Sequence, residues 1–159
     1  MTAFGWVAAA LLMPAPPAAG TPSLSRWHGR WVGEGEGFGK PATATLEIAP
    51  GEGGATTLSY RLSLTRTPPV TYSAEATYAV DAKGRIDGTW TDSTGRTRAV
   101  AGGVNAAKWW THWGSADVEI GRSTYVLEES GRLLVSDSVL REDGSWRVFA
   151  VLRYTRKNP

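Results

Sequence analysis

Ala42-Thr-Ala-Thr-Leu-Glu-Ile-Ala49, then Pro50-Gly-Glu-Gly-Gly54, then Thr57-Leu-Ser-Tyr-Arg-Leu-Ser-Leu-Thr65 is the stretch that decides the fold. Ala42, Ala44, Leu46 and Ile48 share one parity, and Thr43, Thr45 and Glu47 share the other. Successive side chains of an extended strand point to opposite faces, so this alternation describes a strand with one buried face. The glycine-rich run after it is a turn by composition. The second segment repeats the pattern, with Leu58, Tyr60, Leu62 and Leu64 opposite Ser59, Arg61 and Ser63. Two half-buried strands around a tight turn make an antiparallel pair.

The same grammar runs outward in both directions. Pro68-Pro69 ends the second strand, because proline cannot donate to a ladder. Thr71–Val80 then places Tyr72, Ala74, Ala76, Tyr78 and Val80 on one face. Asp81-Ala-Lys-Gly84 turns into Arg85–Asp92, where Ile86, Gly88 and Trp90 align, and Asp92-Ser-Thr-Gly95 turns again. Further segments are expected at Arg96–Asn105, Lys108–Trp113, Ala116–Ile120, Thr124–Glu129, Leu133–Leu140 and Ser145–Arg156. Strands recurring about every 8–12 residues, with no helical period between them, predict an all-β, single antiparallel up-and-down β-barrel of about 8–10 strands. Without βα alternation a parallel sheet has no support. Closure into a barrel also removes the edges that so many apolar strands would expose.

Composition limits the functions open to such a barrel. The 159 residues carry a formal charge of only +2, with acidic and basic residues interspersed, so no nucleic-acid footprint exists. There is no cysteine, which excludes disulfides, thiol nucleophiles and thiolate metal sites. The two histidines, His28 and His112, are too few and too far apart for a dedicated zinc site. Gly33-Glu-Gly-Glu-Gly37 lies inside a strand with no helix after it, so it is not a dinucleotide fingerprint. Its glycines allow strong strand coiling, and Glu34 and Glu36 are expected on a solvated face.

The first twenty residues are different material. Ala3–Met13 is an uncharged apolar run, followed by Pro14-Ala-Pro-Pro-Ala-Ala-Gly20. It is shorter than the roughly 20 residues a membrane-spanning helix needs, and suits the core of a cleaved signal peptide. Residues 1–20 are therefore expected to be a signal peptide, and 21–159 a periplasmic or secreted domain with no membrane span in its mature form.

Ser25-Arg-Trp-His-Gly-Arg-Trp-Val-Gly-Glu-Gly-Glu-Gly37 leads into the first strand through Gly29-Arg-Trp31, and the last strand ends in Arg153-Tyr-Thr-Arg-Lys157. This layout resembles the calycin superfamily and, within it, bacterial lipocalin-like domains of unassigned function. The resemblance implies that Trp31 packs across a closed barrel end beneath Arg153 or Arg156. Trp31-Val-Gly-Glu-Gly-Glu-Gly37 is also similar to the nitrobindin-type haem barrels, which ligate haem through a histidine near the last strand. No histidine follows Arg141 here, so haem is expected only as a minor alternative, and no other cofactor is expected.

Eight tryptophans must pack or bind. Lys108-Trp-Trp-Thr-His-Trp-Gly114 puts Trp109, Thr111 and Trp113 on one face and Trp110 and His112 on the other, without deciding which faces inward. Tyr60, Tyr72, Tyr78 and Trp90 lie on consecutive strands beside Ala74, Ala76 and Gly88, a mixture of large rings and small residues that suits a cavity. The expected ligand-binding residues are thus Tyr60, Tyr72, Tyr78, Trp90, Trp109, Trp110, His112 and Trp113. Three functions follow. One is a module that binds a small hydrophobic or aromatic molecule, as monomer or homodimer. Another is an isomerase, cyclase or hydrolase acting on a lipid-like substrate, which needs His112 and a carboxylate in one cavity. The last is a structural or interaction domain with a filled barrel. No catalytic constellation stands out, so binding is expected over catalysis.

Overall fold

The computed structural model describes residues 21–115 and 119–157. After one 3-10 turn at Ser25–Trp27 the chain runs through ten strands. They are β1 (Gly29–Gly37), β2 (Lys40–Pro50), β3 (Thr56–Leu64), β4 (Val70–Val80) and β5 (Arg85–Asp92). The second half comprises β6 (Thr97–Val104), β7 (Lys108–Trp113), β8 (Gly121–Leu127), β9 (Leu133–Leu140) and β10 (Trp146–Lys157). Each strand pairs antiparallel with its sequence neighbours, and β1 pairs with β10 to complete a closed up-and-down barrel. No strand edge is left unpaired in that ring. The sequence expected two strands at Ala116–Ile120 and Thr124–Glu129. Residues 116–118 lie outside the described residues, and the one strand found in this region is β8.

The turns follow the chemistry of their residues. Phe38 and Gly39 form the two-residue loop between β1 and β2 with φ of 52° and 70°, the twist that suits a tight hairpin. Gly39 adopts this region freely. Phe38 is held there by a stack on Phe149, with ring centroids 4.8 Å apart, and by its N–H donating to the Phe149 carbonyl at 2.6 Å.

Alternation sorts the barrel into inside and outside. Ala42, Ala44, Leu46 and Ile48 are buried, while Glu34 and Glu36 are exposed. A strict alternation in β10 would put Trp146 and Val148 on the face of Ala150, Leu152 and Tyr154. Instead the register shifts between Val148 and Ala150. That bulge leaves Val148 exposed and sets Trp146 outside, against Arg122 at 4.4 Å.

One end of the barrel is plugged. The Arg156 guanidinium lies 4.4 Å from the Trp31 ring. It donates to the carbonyls of His28 at 2.8 Å and Arg26 at 3.0 Å, which pins the 3-10 turn across the opening. Trp31 in turn donates through Nε1 to the Trp27 carbonyl at 2.9 Å. Arg153, the alternative partner for Trp31, pairs with Glu128 at 3.1 Å instead. Above this plug Trp109 stacks on Tyr125 at 3.8 Å and meets Tyr78 edge-on at 5.2 Å. Leu58, Ile48, Ile86 and Leu133 fill the remaining space. Gly33 allows the Tyr154 ring to lie against β1, since a Cβ there would come within 2.5 Å of the ring.

Candidate functional site

The other half of the barrel is hollow. A cavity of about 350 Å³ opens at the end where β1, β3, β5, β7 and β9 finish. This is within the size range of small-molecule sites. Its walls come from inward positions whose parity the alternation sets: Tyr60 and Leu62 on β3, Tyr72 on β4, Trp90 on β5 and Trp113 on β7. Ala74 and Ala76, between Tyr72 and Tyr78 on β4, are buried without filling the lumen.

Three of these rings form one wall. Tyr60 meets Tyr72 edge-on at 6.1 Å and tilts against Trp90 at the same separation. Trp90 Nε1 donates to the Tyr72 hydroxyl at 3.0 Å, fixing both rings. Across the lumen Trp113 lies over Gly121, where a Cβ would fall 2.0 Å from the indole, and its Nε1 reaches the Ser123 hydroxyl at 3.4 Å. Phe38, Phe149, Val70 and Leu64 form an apolar rim.

Five charged residues among those described also line the cavity. Near the mouth Arg98 pairs with the buried Asp92 at 2.8 Å. Burial alone would raise the Asp92 carboxyl. Hydrogen bonds from Thr94, from Arg98 and from the backbone of Thr94 and Arg96 outweigh it and bring the pKa down to about 2. Glu119 and Arg147 stand with them at this end. The fifth, Asp137, sits midway along β9 at the cavity floor, between inward-facing Val135 and Val139. The residue is half-buried, with its carboxyl on the cavity wall and protein packed around the rest of it. That enclosure governs its electrostatics: desolvation raises its pKa to about 6, against a smaller opposing pull from the Ser123 hydroxyl across the strand pair. None of the four ion pairs among the described residues includes it. The hydroxyls of Tyr60, Tyr78, Tyr125 and Tyr154 lie close enough to feel its charge, and burial raises the pKa of each. Among the described residues the buried Tyr78 hydroxyl has no hydrogen-bond partner, and the Tyr154 hydroxyl neighbours that of Tyr60.

No protein-family profile matches the chain, and no curated protein is significantly similar to it. The site therefore stands on its geometry alone.

The residues expected from sequence divide into three groups. Tyr60, Tyr72, Trp90 and Trp113 line the cavity. Tyr78 and Trp109 face inward but belong to the packed plug. Trp110 and His112 point outward, which corrects their assignment to the ligand wall: β7 presents its Trp109 face to the core. Trp110 lies over the backbone of Gly103 beside Lys108, and His112 lies 6.1 Å from Trp146. His28 bonds Thr56 Oγ1 at 3.2 Å at the plugged end. His112 thus forms no pair with a carboxylate inside the cavity, which the acid–base alternative required, and does not face the lumen, where a haem ligated by it would lie. Sequence reasoning missed Arg98, Asp137 and Arg147. The first two were signalled by charge at inward parity, in step with Val100 and Val135.

Proposed function

We propose that this barrel is an exported binding module whose lumen takes one small molecule with a largely apolar or aromatic body. The observation that carries the reading is the asymmetry of the interior. One half is packed behind the Trp31–Arg156 closure, and the other is an aromatic-walled cavity of about 350 Å³ toward the opposite end. A domain that only needed stability would fill its lumen, because cavities lose both transfer energy and dispersion contacts. Rings locked by hydrogen bonds, as Trp90 is by Tyr72, present a preformed surface and lower the ordering cost of binding. Export is supported by the apolar run Ala3–Met13 and the small residues before Thr21, which lie outside the described residues.

Native mass spectrometry of protein purified from its own host, together with ligand-dependent tryptophan fluorescence, tests the reading. Trp90→Ala and Trp113→Ala should each reduce quenching and weaken binding, while Trp110→Ala on the outer face should leave affinity unchanged. Equal effects from inner and outer substitutions would overturn it.

A further inference from the structure

We infer that the cavity selects organic cations, with Asp137 receiving a protonated amine while the Tyr60, Tyr72, Trp90 and Trp113 rings enclose the attached apolar body. This rests on the lumen being a binding site and names the chemistry of its ligand.

The first support is the position of Asp137 at the cavity floor without an ion-pair partner among the described residues. Buried carboxylates are ordinarily paired, because desolvation without compensation is expensive. Of the two cations among the described residues that line the cavity, Arg98 is already held by Asp92 at 2.8 Å and Arg147 forms no ion pair with Asp137. A ligand that brings its own positive charge supplies the missing partner. The second support is the wall itself. Indole and phenol faces carry negative electrostatic potential and attract ammonium groups, most strongly where water is excluded. The third is acceptor capacity. An ammonium group offers up to three N–H donors. Tyr60 lines the cavity with Asp137, and its hydroxyl oxygen can accept a second N–H. A carboxylate ligand would meet like charge at this floor, and a neutral one would leave Asp137 unpaired. Desolvation raises the Asp137 pKa to about 6, so the selectivity is titratable. The groups that feel its charge are Tyr125 and Tyr154 on the adjoining strands and Tyr60, Tyr72 and Tyr78 on β3 and β4, all held neutral through this range by raised pKa values. Arg98, Asp92, Glu119 and Arg147 lie with it on the cavity wall.

The test compares phenylpropylamine, phenylpropanol and phenylpropionate, which share one apolar body, by calorimetry and tryptophan fluorescence on the intact barrel. At about pH 8 the amine should bind at least about tenfold more tightly than the alcohol, and the acid most weakly. The preference should shrink toward about pH 5 as Asp137 takes up a proton. Asp137→Asn should abolish the preference, so that amine and alcohol bind with about equal affinity. If that variant fails to fold, the pH dependence of the wild-type preference decides alone. Alcohol binding without an amine preference would overturn the cation assignment and leave the lumen site standing. No binding by any of the three would overturn both.

Discussion

Replacing Asp137 with asparagine should make the barrel more stable at neutral pH, and the gain should vanish in acid. The folded state raises the Asp137 carboxyl from an ordinary value of 3.8 to about 6. Each pH unit of that displacement corresponds to about 1.4 kcal/mol, so the ionised carboxylate costs the ligand-free barrel about 3 kcal/mol. This is an upper bound, because water reaching the cavity through its mouth solvates the carboxylate. The folded pKa lies above the unfolded one, so the penalty is complete above about pH 6, fades as the pH falls through that value, and is gone below about 4. Asparagine cannot ionise and escapes the penalty at every pH. A chain of this size gains about 2–4 °C in Tm per kcal/mol, which puts Asp137→Asn above the wild type near pH 8 by up to about 6–12 °C. Asp92 acts in the opposite sense. Its pKa, lowered to about 2, gives stability that is present above about pH 4 and lost below it. Thermal melts of both proteins across the range from about pH 3.5 to 8.5 separate the two, since Asp92 acts equally in each. A constant Tm difference across that range, or a less stable variant near pH 8, would refute the account of Asp137.

Arg156→Ala should lower stability by about 2 kcal/mol, through loss of the contact with Trp31 and of two charge-assisted hydrogen bonds to the 3-10 turn; urea unfolding measures it, and Arg153→Ala should cost about 0.5 kcal/mol or less. Trp109→Ala should cost about 3–5 kcal/mol in the same assay, because it empties a fully buried site in the plug, whereas Trp113→Ala should weaken ligand binding more than it lowers stability. Gly121→Ala should push the Trp113 indole from its place, because the new Cβ would stand 2.0 Å from that ring; a reduced ligand-dependent quench with an unchanged far-UV spectrum is the expected result.

Much of this fold is legible in the residue string because a strand's period is two and every slip by one residue reverses its faces. The ATATLEIA segment and its neighbours therefore announce both their strands and their buried sides. β7 does not: aromatic residues occupy both faces of Lys108–Trp113, so its orientation is set by β6 and β8 and not by its own pattern. β10 misleads for another reason. Its bulge inserts one residue and reverses the parity of Trp146 and Val148 relative to Leu152, with no local proline or glycine to announce it. Asp137 was visible as the single charge on the apolar parity of Leu133, Val135 and Val139. What the string could not give is depth along the barrel axis, which separates Tyr78 and Trp109 in the plug from Tyr60 and Trp113 at the cavity.

The seam between β1 and β10 has a consequence in time as well as in space. Trp31 pairs with Arg156 and Gly37 with Ala150, so the ring closes only through contacts that span almost the entire chain. The nine other strand pairings join sequence neighbours and can zip progressively as hairpins. Closure must wait for the last residues, which makes it the step with the largest loop entropy and the natural bottleneck of folding. Until then β1 carries an open apolar edge. The Arg156 clasp on the 3-10 turn thus doubles as a latch, engaged only once the ring is complete.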